Sequence, residues 1–281
     1  MSKASHQSDS QYIHGTSAEE QARLSLLNDL LNQACLKEMN MNEEERILDI
    51  GSGLGQFTRL MAKTPKNTPY VLGIERNERQ IQQARDFAQQ SREQELVVFR
   101  QGDATGLPLE SDEWESFDLV HARFVLEHVK RPIEVVQQMV AACKPGGRLI
   151  LADDDHDIFR LYPECPGFNE LWQAYIRSYD RLGNDPYVGR RLVQLLHNAG
   201  MHKPRNTFIF FGDCAGNSTF EAFADNIIGV VDGARSVILE HQLLTAEVFD
   251  AGIAAMHQWK QRSDAALWYA MHWAEAYKPL S

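Results

Sequence analysis

The chain has 281 residues, 43% of them apolar and 24% charged, the balance of a globular protein with room for a sizeable core. Its formal net charge of −11 and pI near 5.4 argue against a general nucleic-acid binder, which needs an excess of Lys and Arg to neutralise phosphate. Cys35, Cys143, Cys165 and Cys214 show no C-x-x-C pair or zinc-finger spacing, and no apolar stretch reaches membrane-spanning length. The start MSKASHQSDSQ lacks a signal-peptide core, so the expected location is cytoplasmic.

From Thr16 the segment TSAEEQARLSLLNDLLNQACL sets Leu24, Leu27, Leu30 and Leu31 on one helical face, with Thr16 or Ser17 as cap. The strand-like runs RILDI, YVLGIE, LVVFRQGD, FDLVHAR and GRLILADDD then alternate with segments of helical spacing. That alternation predicts right-handed crossovers and a parallel sheet covered on both faces, with the ligand beyond the carboxyl ends of the strands. Each run ends in polar residues at that edge: Asp49 to Gly55, Glu75, Asp103, His121 to Arg123, and Asp153 to Asp155. Further along, FNELWQAYIRSYDRLG and YVGRRLVQLLHNAG read as helical, NTFIFF as a strand, and residues 217–263 as mostly helical.

The stretch Asp49-Ile-Gly51-Ser-Gly53-Leu-Gly55 closes the first strand and opens a helix. Glycines let the backbone turn sharply and let a ligand approach it closely. The spacing is G-x-G-x-G rather than the G-x-G-x-x-G of a pyrophosphate turn, and no Lys-Ser/Thr follows for a phosphate loop. Glu75, at the end of the second strand, is placed to accept both hydroxyls of a ribose. Asp103, in GDATGLPL at the end of the third, is placed to accept from an adenine amine or to cap its own loop.

Taken in order, ILDIGSGLGQFT, VLGIERNERQIQQAR, GDATGLPLESDEWESFDLVHARFVLEHV and MVAACKPGGRLILAD resemble the class I S-adenosylmethionine-dependent methyltransferases, in their small-molecule (type 11-like) group. The resemblance spans about residues 46 to 153. It implies an α/β, Rossmann-like, doubly wound sheet of seven mostly parallel strands with an antiparallel last strand, a helical lid and a helical insertion. The boundaries it implies are residues 1–44 for the N-terminal segment and lid, and 45–281 for the methyltransferase domain. Within that domain the core covers 45–213, the insertion 214–264 and the last strand 265–277. It implies S-adenosyl-L-methionine as cofactor and a small-molecule partner; the acidity, the lack of an N-P-P-Y-like motif and the lack of a membrane-length apolar stretch argue against nucleic acid and membrane as partners. The turn Gly51 to Gly55, with Gly51, Ser52 and Gly53, would pass close to the methionine portion, with Asp49 helping to orient that loop and its ammonium. Glu75 would bind the ribose, and Arg76, Asp103 and Ala104 would lie at the adenine. His121 and Arg123 would border the methionine tail, and Tyr12 would close over the cofactor from the lid.

A sulfonium methyl is already activated, so few residues beyond those that align the acceptor are needed, and a base only where the acceptor must lose a proton. His128 and His121 are the candidate bases, with His156 and His14 behind them. The run DDDHD at 153–157 offers the ligand types of divalent ions. Adjacent residues rarely all point at one ion, however, and no metal site is expected. The aromatics Phe159, Tyr162, Phe168, Trp172, Tyr175, Tyr179 and Tyr187 read mainly as core and alternatively as a pocket for a flat or apolar acceptor or a cage for a cationic amine. Arg190 and Arg191 read as solvent-facing or capping, with contact to an acidic substrate group as the alternative. A nicotinamide-dependent oxidoreductase would need a hydride-transfer constellation such as Tyr-x-x-x-Lys, and none is present. A non-catalytic S-adenosylmethionine sensor or partner subunit is the other reading.

Overall fold

A computed structural model describes residues 18–41, 46–64 and 70–280. Tyr12, His14 and the caps Thr16 and Ser17 lie outside these residues. The described chain runs α1 (Ala18–Met39), β1 (Arg46–Ile50), α2 (Gln56–Lys63), β2 (Tyr70–Glu75), α3 (Glu78–Gln90), β3 (Val97–Gln101), β4 (Phe117–Arg123), α4 (Pro132–Ala142) and β5 (Cys143–Asp153). It continues through β6 (Arg160–Tyr162), α5 (Phe168–Leu182), α6 (Leu192–Asn198), β7 (His202–Cys214), α7 (Phe220–Gly233), α8 (Arg235–Glu240), α9 (Ala246–Trp259) and β8 (Ala266–Tyr277). Among the described residues no helix is long and apolar enough to cross a membrane.

The sheet order is β3-β2-β1-β4-β5-β8-β6, with β7 also pairing β8. Strands β1 to β5 pair in parallel, and β8 runs antiparallel to β5, with Ile150 opposite Glu275. The expected sheet of seven strands is therefore corrected to eight. The additional strand is β6, three residues long, which is too short for any period to appear in its sequence. From β1 the order proceeds one way to β2 and β3 and the other way to β4 and β5, so the direction of winding reverses between β1 and β4. The crevice above that reversal is where doubly wound sheets bind ligands.

Strand alternation sorts the core into two faces. Leu48, Ile50, Val120, Ala122, Leu149 and Leu151 pack toward Val135 and Met139 of α4 and Leu195 and Leu196 of α6. Ile47, Val71, Leu119 and Ile150 pack toward Phe57 and Met61 of α2, Ile81 and Ala84 of α3, and Cys35 and Met39 of α1. Each such aliphatic side chain stabilises the fold by about 1.5–3 kcal/mol when fully buried. The face of α1 differs from the leucine stripe read in the sequence: Leu30 is exposed, whereas Asn32, Cys35 and Met39 are buried. The last turns of the helix cover the sheet, and there the small Cys and flexible Met fit.

By compactness the chain divides into two units. The larger comprises Asn28–Arg160, Tyr179–Gly212 and Leu267–Ser281, and carries the parallel strands. The smaller contains Leu161–Ser178 and Asp213–Ala266, together with the described residues up to Leu27. Within it Trp172 stacks on both Phe168 and Tyr175, and Trp259 Nε1 donates to the Pro163 carbonyl at 2.7 Å. Lys260 holds Asp225 at 2.6 Å. The aromatic residues read as one cluster are thus divided: Phe168, Trp172 and Tyr175 are core of the smaller unit, while Phe159, Tyr179 and Tyr187 belong to the larger. Tyr162 is exposed.

Candidate functional site

The turn after β1 is built on left-handed backbone. Gly51, Gly53 and Gly55 have φ of 72°, 53° and 72°, a region that L side chains rarely adopt. The amides of Gly51 and Ser52 both donate to the Ile74 carbonyl, at 2.8 and 3.0 Å, which folds the turn back over the end of β2. A Cβ on Gly51 would lie 2.3 Å from Val125 Cγ2, and one on Gly55 would lie 2.4 Å from the Phe99 ring. At Gly53 it would meet nothing within 4 Å. Two of the glycines are therefore demanded by packing; the third presents bare backbone to open space.

Glu75 ties this turn to the next strand end. Its Oε2 accepts from the Gly53 amide at 3.1 Å and its Oε1 from the Asn77 amide at 2.8 Å. Asn77 in turn caps α3 through the amides of Arg79 and Gln80. At the end of β3, Asp103 Oδ1 accepts from both the amide and the hydroxyl of Thr105, at 2.8 and 2.6 Å. Those bonds, the hydroxyl first, hold its carboxyl below the ordinary range, and the charge of Arg76 adds to the effect. Ala104 packs half-buried on the core. The loop-capping and ligand readings of Asp103 are compatible, because only one oxygen is committed to the loop. Gly53, Glu75, Arg76, Asp103 and Ala104 thus gather along the ends of β1, β2 and β3.

Asp49 and His121 are buried and Arg123 is half-buried. Asp49 and His121 are register partners on β1 and β4 and point to the α2 face. Asp49 Oδ2 accepts from Thr58 Oγ1 at 2.6 Å, and Oδ1 lies 2.8 Å from His121 Nδ1. His121 is 1% exposed and packs between Phe57 and Trp273, with ring centroids 5.1 and 6.3 Å away. Arg123 donates to Asn32 Oδ1 at 2.7 Å and lies 4.5 Å over the Phe57 ring, so it anchors α1. These three residues form a clamp beneath the glycine turn.

A second constellation occupies the ends of β4 and β5. His128 is half-exposed in the short 3-10 turn Leu126–His128, with Nε2 3.3 Å from Glu127 Oε1. Asp153 Oδ2 accepts from the amides of Val125 and Leu126, at 3.2 and 2.8 Å, binding the two strand ends together. Asp155 is held by Arg190 through two bonds of 2.6 and 2.7 Å, and Arg191 pairs with Asp185. The arginine pair therefore neutralises loop carboxylates. His156 is buried, with Nδ1 3.2 Å from Tyr269 Oη and Nε2 3.4 Å from Glu127 Oε2. Burial, and then the negative charge of Asp185, pushes Glu127 up to about 8. Burial and then Glu127 raise Asp153 and Asp154, while burial lowers His156. Glu127 and Tyr269 escape a sequence reading, because LEHV and the tyrosine of the last strand are ordinary core patterns; only the position of Glu127 after a strand end marks it.

Among known proteins, the methyltransferase domain family matches residues 41–184, over half of the chain. The 27-O-demethylrifamycin SV methyltransferase of Amycolatopsis mediterranei is 34% identical over 154 residues, 55% of this chain and 53% of that protein. A 37.1 kDa protein of transposon TN4556 from Streptomyces fradiae is 29% identical over 171 residues, 60% of this chain and 47% of that protein. The chain thus spans about half the length of these curated relatives. In fold it is similar to the Haemonchus contortus phosphoethanolamine N-methyltransferase 2 in complex with phosphomonomethylethanolamine and S-adenosylhomocysteine. That likeness has a TM-score of 0.54 at 18% identity, over 88% of this chain and 52% of the other. By the match of its glycine turn and parallel strands, the chain belongs to the methyltransferase domain family.

Proposed function

We propose that this protein transfers a methyl group from S-adenosylmethionine to a small-molecule acceptor. The observation that carries this reading is Gly53: left-handed, open on one side, and held by the same Glu75 that a ribose would need. The residues fit the cofactor. Ser52 Oγ is buried with no hydrogen-bond partner among the described residues, and Glu75 and Asp103 keep acceptor capacity toward the strand ends. Gly51 to Gly53 would take the methionine portion, Glu75 the ribose, and Arg76, Asp103 and Ala104 the adenine. Tyr12 remains the lid residue of this proposal.

The cofactor supplies a methyl on a positive sulfur, so the protein's task is alignment and exclusion of water, worth on the order of 7–11 kcal/mol at best. Asp49 and His121 act as positioning residues, holding the turn from below through Thr58 and β4. His128, half-exposed at the end of β4, is the imidazole available to take a proton from the acceptor. The acidic chain and its four unpaired cysteines suit a small-molecule enzyme of the cytoplasm.

Calorimetry with S-adenosylmethionine and with NADPH tests the cofactor, and a substrate library with labelled methyl donor tests transfer. Saturable binding of the first cofactor and label in a small product are expected. Binding of NADPH alone overturns the reading, and cofactor binding without any transfer points to a sensor.

A further inference from the structure

Glu127, Asp154 and His156 each bring one ligand-type atom to a common point, and these atoms lie within 4.8 Å of one another. Acidic groups often cluster without consequence, but Glu127 is 4% exposed, and its Oε2 faces His156 Nε2 with no hydrogen-bond partner among the described residues. Asp154 Oδ1 is likewise buried without one. The neighbouring carboxylates are already satisfied: Asp153 by backbone amides, Asp155 by Arg190 and Asp185 by Arg191. The charges acting on Glu127 and Asp154 come from other carboxylates and from His156. Two carboxylates and an imidazole thus face one another, with Glu127 and His156 buried and Asp154 half-buried. Tyr179 donates to Glu127 and Tyr269 to Asp154, and Tyr269 Oη also lies against His156 Nδ1. Fixing the distal ring nitrogen in this way is how metal-binding imidazoles are held.

We propose that Glu127, Asp154 and His156 form a binding site for a divalent cation. Two carboxylates balance its charge, and a neutral imidazole completes a mixed O/N set that suits Mn2+ and its chemical neighbours. Bonds of about 2.0–2.2 Å place neighbouring ligand atoms roughly 3–3.5 Å apart, so the trio, now within 4.8 Å of one another, has to draw inward on binding. The objection raised by adjacency in DDDHD falls away, since Asp154 and His156 alternate and the third ligand comes from beyond β4. Three protein ligands leave coordination positions for water or for an oxygen of the acceptor. That last role rests on the methyl-transfer reading; the cation site itself does not.

The test is titration of the whole chain with Mn2+, followed by the loss of the free-ion electron paramagnetic resonance signal. One site per chain is expected, with spin-echo modulation from a single imidazole nitrogen. Asp154→Asn and His156→Gln each weaken Mn2+ by about tenfold or more, while S-adenosylmethionine binding by calorimetry persists in both and reports that they fold. Absence of a site below about 1 mM, the weak end of oxygen-ligand sites, overturns the proposal. So does bound Mn2+ without nitrogen modulation, a measurement on the unmutated chain that does not depend on any variant folding. Failure of the methyl-transfer reading appears separately, as absent S-adenosylmethionine binding with Mn2+ still bound.

Discussion

Glu75 Oε2 accepts the amide of Gly53 at 3.1 Å, joining the turn after β1 to the end of β2 across 22 residues of chain. One carboxylate therefore both shapes the glycine turn and presents acceptor oxygens beside it. Glu75→Ala is expected to weaken S-adenosylmethionine by roughly 1–3 kcal/mol, the value of hydrogen bonds to a charged group. Calorimetric titration checks this, and an unchanged Kd removes Glu75 from the site.

Gly53 and Gly51 separate binding from folding. Gly53→Val places a branched side chain in open space and is expected to abolish cofactor affinity, with a backbone cost of about 1–2 kcal/mol for the left-handed residue. Gly51→Ala drives a methyl into Val125 and is expected to lower the thermal midpoint much further. The two effects are compared by melting and by cofactor titration, and equal loss of stability in both would contradict the distinction.

Thr58 Oγ1 donates to the buried Asp49 at 2.6 Å. Thr58→Val keeps the shape and deletes that donor, so it is expected to cost about 1–3 kcal/mol in urea unfolding. A neutral result would mean that the clamp beneath the turn is not held by this bond.

Arg100 grips Glu113 at 2.5 and 3.0 Å and, as the first cause, holds its carboxyl below the ordinary value of 4.5. A carboxyl lowered on folding stabilises fully above its unfolded pKa, and that contribution is lost as pH falls through the folded value. Glu113→Gln is therefore expected to be less stable than the parent at pH 7. The two urea midpoints should converge only as pH falls well below the ordinary carboxyl value of 4.5, and a gap that persists in acid would assign the effect to packing.

His128→Ala is expected to reduce turnover by about 100-fold, the lower range for a general base, with the Kd for S-adenosylmethionine unchanged. Parent-like turnover would leave His128 with a packing role.

The succession of strands and helices along the chain, the glycine turn and the carboxylates at successive strand ends were legible in the residues, because period, chain breakers and motif spacing are local properties. The extra strand β6 was not, since three residues carry no period. Nor was the buried face of α1, where the apolar stripe read at Leu30 gave way to Asn32, Cys35 and Met39. Arg190 and Arg191 face solvent as read, and the carboxylates they pair with, Asp155 and Asp185, became visible only in the fold.

By itself the sequence determined the α/β class, the alternation of strands and helices, and which residues gather at the carboxyl edge of the sheet. Only the tertiary structure decided that His121 is buried and that Arg123 ties down α1, that Gly53 alone among the turn glycines faces open space, and that Glu127 meets Asp154 and His156. Spacing along a strand fixes the face a side chain takes. Which groups from other strands share that face, and whether their charges are answered, depends on register and packing between segments far apart in the chain.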